Sequence, residues 1–240
     1  MRQPGKSIVP TIATLANLLA GCLALALMLE EKYDIAALLI IAAVLCDSMD
    51  GALARMFGAS SEFGAELDSL ADVVSFGVAP AILLIAIEPL QMRFFGWVVA
   101  ACYATAAAWR LARFNVNRRL SLGESFTGLP TTAAGGFVAA SVLCLHVMSN
   151  GHTMIPAAIV PWLLLLMAIL MVSALPYPHV GGIIAKQPVA FCVAGILLLI
   201  LGVVYWEYEI VFLLFFFTYV VSGPAVAVGA RIRAAREARY

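Results

Sequence analysis

The chain has 240 residues, of which 64% are hydrophobic and 12% charged, and its formal net charge is zero. This composition excludes an ordinary soluble globular domain, in which about 25% of residues are charged. Apolar runs long enough to cross about 30 Å of hydrocarbon, roughly 20 residues each, recur along the chain. We therefore expect one all-α integral membrane domain over residues 1–240, with no separate soluble domain.

Apolar stretches between charged residues, prolines and glycines predict about eight transmembrane helices. Their expected bounds are 10–29, 34–57, 65–88, 93–114, 131–149, 155–174, 188–205 and 208–229. We expect the first helix to be retained rather than cleaved as a signal peptide, because no small-residue cleavage site accompanies it.

Basic residues are distributed unevenly between the two sides of this predicted bundle. An even number of spans places both termini on one side, and that side receives every Lys and Arg except Lys32 and Arg93. The positive-inside rule then places both termini in the cytoplasm, and we expect a cell (inner) membrane. The basic residues near the C-terminus are expected to contact anionic lipid headgroups rather than nucleic acid.

Four aspartates inside the predicted helices are the candidate functional residues, because ionisable side chains in membrane segments are costly. Asp47 and Asp50 are three residues apart near the end of the second helix. Asp68 and Asp72 are four residues apart early in the third helix. Each pair therefore lies on one helix face. The short connection makes the two helices antiparallel neighbours, which predicts a polar, cytoplasm-facing cavity between them.

Carboxylates that share such a cavity repel one another unless protons or bound cations neutralise them. Carboxylate oxygens without Cys or His suit Mg²⁺ or Mn²⁺, with Ca²⁺ as a further candidate, and four can bridge two ions about 3.5–4 Å apart. Gly51, Ala54 and Gly64 leave room for a diphosphate, and Arg55 can pair with it. A cation or proton transporter is the alternative, although its acids would be spread across the membrane depth.

The run from Asp47 to Asp72 resembles the signature of the CDP-alcohol phosphatidyltransferases, D-x-x-D-G-x-x-A-R-x₈-G-x-x-x-D-x-x-x-D, and matches every fixed position. Fixed residues at fixed gaps make this signal specific. The resemblance implies a catalytic general base at Asp72, which is also a metal ligand, and further metal ligands at Asp47, Asp50 and Asp68. It implies contacts to the CDP-lipid from Asn17, Gly51, Ala54, Arg55 and Gly64. A helix–helix hydrogen bond is the alternative for Asn17.

Three further stretches resemble the membrane-embedded phosphatidylserine synthases, so that the likeness covers about residues 10–180. They are RLARFN at 110–115, FTGLP at 126–130 and MVSALPYP at 171–178. One departure is Thr131-Thr132, where many relatives carry a second proline. The resemblance implies that the hydroxyl of L-serine attacks the lipid-side phosphorus of CDP-diacylglycerol and releases CMP. It also implies a homodimer.

The serine acceptor has a carboxylate, which Arg110 or Arg113 can pair with while Asn115 orients it. Arginines that only extend toward lipid headgroups are the alternative for both positions. A sibling enzyme that uses glycerol 3-phosphate, inositol phosphate or choline would keep the same aspartates, so these acceptors stay open.

Overall fold

The computed structural model describes residues 8–57, 62–87, 93–119, 127–148, 160–177 and 208–237. Most of these residues form helices. The helices are α1 (Ile8–Leu29), α2 (Tyr33–Phe57), α3 (Glu62–Asp72), a π-helix (Val73–Val78), α4 (Ala79–Ala86), α5 (Arg93–Arg119), α6 (Thr131–Met148), α7 (Val160–Val172) and α8 (Tyr208–Glu237). Across the described ranges there is no β-strand, and Thr127 and Pro176 form an isolated bridge. The all-α prediction is confirmed.

Helices suited to a membrane are present in the described part of the chain. Four are long and apolar enough to span one by length and composition: Thr11–Leu29, Glu62–Ala86, Phe94–Asn117 and Tyr208–Ile232. The predicted helix at 188–205 lies outside the described residues. Helices α5 and α8 continue beyond the predicted residues 114 and 229, because hydropathy marks the apolar part of a helix and not its polar extension.

The segment predicted as one helix over 65–88 is divided in the structure. A π-helix over Val73–Val78 separates α3 from α4, and Asp72 is the last residue before it. The Tyr103 hydroxyl donates to the Phe76 carbonyl oxygen at 3.1 Å, inside this π-helix. π-helical turns occur often at functional sites, and hydrophobic periodicity does not reveal them.

Helix α6 lies at the centre of the bundle, where it contacts α2, α4, α8 and the π-helix. Every residue from 133 to 144 is buried, as expected for a helix that is apolar on all sides. Small residues allow this packing. A Cβ atom at Gly135 would lie 2.9 Å from the Phe76 Cα atom, and a Cβ at Gly136 would collide with the Phe216 ring.

Candidate functional site

Three of the four predicted aspartates lie together. Asp47 comes from α2, and Asp68 and Asp72 come from α3. One carboxylate oxygen of each lies within 4.8 Å of the others. Asp47 and Asp68 are partly buried, and Asp72 is only 6% exposed. The spacing of these residues in the sequence therefore correctly predicted that carboxylates of α2 and α3 lie together.

The remaining residues of the aspartate signature are described less fully. Asp50, Gly51, Ala54 and Arg55 lie on the helical backbone of α2, but their side chains fall outside the described part of the chain. Gly64 is partly buried in the first turn of α3. Their expected roles as a metal ligand and as CDP-lipid contacts stay predictions.

The chemistry of the clustered side chains fits a hard divalent cation. All three ligand candidates are carboxylate oxygens, which suit Mg²⁺ and Mn²⁺. The group contains no His or Cys, whose nitrogen or sulfur atoms would favour zinc or a softer metal. The described oxygens are close enough for one ion to bind more than one of them.

Asn17 of α1 contacts the most buried of these carboxylates. Its Nδ2 atom donates to Asp72 Oδ1 at 3.1 Å, and the residue is 0% exposed. The amide oxygen of Asn17 is buried and has no hydrogen-bond partner among the described residues. Leaving such an acceptor unpaired costs about 1–3 kcal/mol.

The N-terminal end of α6 contributes two hydroxyls to this region. Thr132 Oγ1 donates to Asp47 Oδ2 at 3.3 Å. Arg110 of α5 donates through Nη1 to Thr131 Oγ1 at 3.5 Å. The pair of threonines that departs from the expected sequence is thus directed at the site, one hydroxyl toward a carboxylate and the other toward a buried arginine.

Arg110 is positioned beside the aspartates. It is 7% exposed, and its guanidinium carbon lies 5.4 Å from the centre of the Phe114 ring. It interacts electrostatically with Asp72, with Asp47 and with the Tyr219 hydroxyl group of α8. Tyr219 could not be identified from the sequence, because an aromatic residue in an apolar helix gives no sign of its distant partner.

Arg113, one turn after Arg110, has a different environment. Its guanidinium donates to four backbone carbonyl oxygens: Val172 at 3.0 Å, Thr127 at 3.0 Å, Ser173 at 3.3 Å and Met171 at 3.4 Å. Three of these oxygens lie at the C-terminal end of α7, where carbonyls lack partners within the helix. The Arg113 guanidinium thus joins α5 to α7, and its expected contact with the acceptor stays a prediction.

The same contact unites the three stretches that resemble phosphatidylserine synthases. Gly128 donates its N–H to the Leu175 carbonyl at 2.9 Å, and Leu129 donates to the Leu170 carbonyl at 3.0 Å. Gly128 has φ +85°, a conformation that favours glycine. A Cβ there would lie 2.9 Å from Arg113 Nη2 and would collide with the Met171 carbonyl oxygen. We call this arrangement the arginine clamp, formed by Arg113, residues 127–129 and residues 170–175.

Asn115 also has a partner within the protein. Its Nδ2 atom donates to Ser69 Oγ at 2.7 Å, and Ser69 Oγ donates to the Ala65 carbonyl of its own helix at 3.0 Å. Because Ser69 follows Asp68 directly, this bond holds α5 beside the aspartate cluster. Its predicted contact with the acceptor is not tested by this geometry.

The fold and the site together define a helical membrane protein with a carboxylate cluster suited to a hard divalent cation. The sequence model of the CDP-alcohol phosphatidyltransferase family matches residues 7–175, which include α1 to α7. The chain belongs to the CDP-alcohol phosphatidyltransferase family and is an enzyme of the phosphotransferase type. Helix α8, which supplies Tyr219, lies beyond the matched range.

Curated proteins similar to the chain include two bacterial enzymes and one archaeal enzyme. CDP-diacylglycerol--serine O-phosphatidyltransferase of Helicobacter pylori (strain J99) is 33% identical over 174 residues, which cover 72% of each chain. Archaetidylserine synthase of Methanothermobacter thermautotrophicus is 34% identical over 176 residues, covering 72% of this chain and 71% of the relative. CDP-diacylglycerol--serine O-phosphatidyltransferase of Bacillus subtilis (strain 168) is 34% identical over 171 residues, covering 71% and 90%.

The arginine clamp predicts a stability defect at Gly128. Replacing Gly128 by Ala forces a side chain into a positive φ and against the Met171 carbonyl, which should lower the unfolding temperature by at least about 4 °C. Gly229→Ala is the matched control, because a Cβ there would meet no described atom within 4 Å. Equal unfolding temperatures of the two purified variants in detergent would contradict the clamp.

The bond from Thr132 to Asp47 predicts an effect on metal binding. Thr132→Val keeps the shape of the side chain but removes the hydroxyl, and it should weaken Mn²⁺ binding about 10-fold, as expected for a residue that orients a ligand. Thr132→Ser retains the hydroxyl and should bind Mn²⁺ nearly as the wild type does. Titration followed by electron paramagnetic resonance measures both, and unchanged binding by Thr132→Val would refute this role.

Proposed function

We propose that the chain transfers the phosphatidyl group of CDP-diacylglycerol to the hydroxyl of L-serine, giving phosphatidylserine and CMP. The observation that carries the proposal is the buried guanidinium of Arg110, which interacts electrostatically with Asp72 and Asp47 of the aspartate cluster. A cationic side chain next to a carboxylate cluster suits an acceptor that has both a carboxylate and a reactive hydroxyl. The names of the three relatives also share serine as the acceptor, although their lipids differ.

In the proposed reaction, the serine oxygen forms a bond to the lipid-side phosphorus, and the bond from that phosphorus to the oxygen of CMP breaks. Asp72 accepts the proton of the serine hydroxyl as general base. When bound, divalent ions held by Asp47, Asp50, Asp68 and Asp72 would neutralise the diphosphate and the charge that develops on CMP. We propose Mg²⁺ or Mn²⁺ in this role, with two ions per site.

The substrates are proposed to lie on different sides of the aspartate cluster. Gly51, Ala54, Arg55 and Gly64 follow the signature and would hold the CDP moiety of the lipid. Arg110 would pair with the serine carboxylate, and the Thr131 hydroxyl beside it offers a further donor. In this arrangement Arg113 and Asn115 act indirectly, by holding α5 against α7 and α3.

Other acceptors are alternatives that a measurement of CMP release, described below, distinguishes from serine. Glycerol 3-phosphate or inositol phosphate would present a dianionic phosphate, for which several basic groups are favourable. Of the two arginines on this turn of α5, Arg113 is already bonded to carbonyl oxygens. Choline would need aromatic or acidic groups rather than Arg110. We set aside the transporter alternative, because the chain belongs to a family of phosphotransferases.

We further propose a cytoplasmic active site in an eight-helix bundle of the inner membrane, with both termini cytoplasmic and a single domain that forms a homodimer. Support for the orientation comes from basic residues toward the C-terminal ends of two helices. Helix α5 ends with Arg118 and Arg119, and α8 carries Arg231 near its C-terminal end. Under the positive-inside rule, each of these helix ends faces the cytoplasm.

The acceptor is tested by CMP release from the purified protein with CDP-diacylglycerol and Mn²⁺ or Mg²⁺. L-serine, glycerol 3-phosphate, inositol phosphate and choline are supplied separately. We expect release with serine alone, and we expect Asp72→Asn to abolish it because the general base is lost. Release with another acceptor would overturn the serine assignment, and no metal-dependent release with any acceptor would overturn the proposed reaction.

Two neighbouring arginines provide a matched test of carboxylate recognition. Arg110→Gln should raise the KM for serine about 10- to 100-fold, because a hydrogen bond to a charged group is worth about 1.5–3 kcal/mol. Arg113→Gln should lower the unfolding temperature while the folded protein keeps its KM for serine. A serine KM that rises only in the Arg113 variant would reverse the two assignments.

A further inference from the structure

Asn17 is an unusual residue for its position. It lies within α1, a helix that is otherwise almost entirely apolar, and it is 0% exposed. A buried amide in a membrane helix needs hydrogen-bond partners, since hydrocarbon offers none. The partner that the structure provides is Asp72, which lies 55 residues further along the chain.

The backbone of Asn17 is also attached to the segment that follows Asp72. The Ser75 hydroxyl in the π-helix donates to the Asn17 carbonyl oxygen at 2.9 Å. One helical turn after Asn17, Gly21 approaches Ser75 so closely that a Cβ atom at Gly21 would collide with the Ser75 hydroxyl. Helix α1 is thus held at a fixed distance from the π-helix, which places the Asn17 side chain beside Asp72.

The two polar atoms of the Asn17 side chain differ in their contacts. The nitrogen donates to Asp72, whereas the buried oxygen has no hydrogen-bond partner in the described part of the chain. An apolar residue at position 17 would avoid leaving an acceptor unpaired. The contact to Asp72 is therefore the feature that distinguishes asparagine from the Leu and Ala residues around it.

We propose that Asn17 is a positioning residue that fixes the orientation of the Asp72 carboxylate. The amide holds Asp72 Oδ1, which leaves Oδ2 to face the reacting hydroxyl and the metal side of the cluster. This inference rests on the proposed function for its catalytic consequence. It differs from the role implied by the family resemblance, in which Asn17 contacts the CDP-lipid directly.

Steady-state kinetics separate these two roles. If Asn17 acts through Asp72, Asn17→Ala should lower kcat about 10- to 100-fold, the usual effect of removing a residue that orients a functional carboxylate. The KM for CDP-diacylglycerol should stay within about 3-fold of the wild-type value. An increase in that KM with kcat unchanged would overturn the proposal in favour of a direct CDP-lipid contact.

A matched control and a second variant distinguish loss of the contact between Asn17 and Asp72 from general damage to the fold. Ser141→Ala removes another buried polar side chain, one that donates only to the Phe137 carbonyl of its own helix. It should keep the wild-type kcat. Asn17→Asp keeps the shape of asparagine but replaces the donor by a second acceptor, and it should lower kcat at least as much as Asn17→Ala does. Wild-type kcat in Asn17→Asp would overturn the proposal.

A double-mutant cycle on Mn²⁺ binding tests the coupling without any measurement of activity. Asn17→Ala should weaken Mn²⁺ binding when Asp72 is present and should have no further effect when Asp72 is replaced by Asn. Additive effects would show that Asn17 does not act through Asp72 and would overturn the proposal. Because the cycle needs no substrate, its result does not depend on which acceptor the enzyme uses. The positioning role of Asn17 and the serine assignment can therefore be overturned independently of each other.

Discussion

Three carboxylates from two helices lie close together, and that of Asp72 is buried. At such short distances like charges repel strongly, and the repulsion grows as the local dielectric falls. The oxygens of Asp47, Asp68 and Asp72 nevertheless lie within 4.8 Å of one another. The bundle must therefore hold these side chains in place and supply positive charge near them, and much of the described structure around the site serves one of these two needs.

Each of the three aspartates, or the residue that follows it, accepts a hydrogen bond from a side chain of a different helix. Asn17 of α1 donates to Asp72, Thr132 of α6 donates to Asp47, and Asn115 of α5 donates to the serine after Asp68. Positive charge comes from the buried Arg110. Divalent ions, bound to the carboxylate oxygens, would supply the rest, which is why the arrangement suits phosphoryl transfer from a diphosphate.

The aspartate cluster could be predicted because its information is local: two pairs at helical spacing joined by a short connection. The hydrogen-bond partners of these aspartates could not be predicted from the sequence. Asn17 and Thr132 are far from them in sequence, and no periodicity relates such positions. Arg113 shows a different limit, since an arginine at the end of a membrane helix can bind a substrate, a lipid headgroup or backbone carbonyls with equal plausibility. The π-helix was missed because hydropathy does not record backbone hydrogen bonding.

The central claim is that the carboxylates of Asp47, Asp68 and Asp72 together hold divalent metal. Anomalous diffraction from crystals of the protein grown with Mn²⁺ tests it most directly, because the signal locates the ion without reference to activity. The account predicts a manganese peak among these three carboxylate groups, and it predicts loss of that peak in Asp47→Asn crystals. A well-ordered cluster without manganese at saturating concentration, or a peak only elsewhere in the protein, would contradict it.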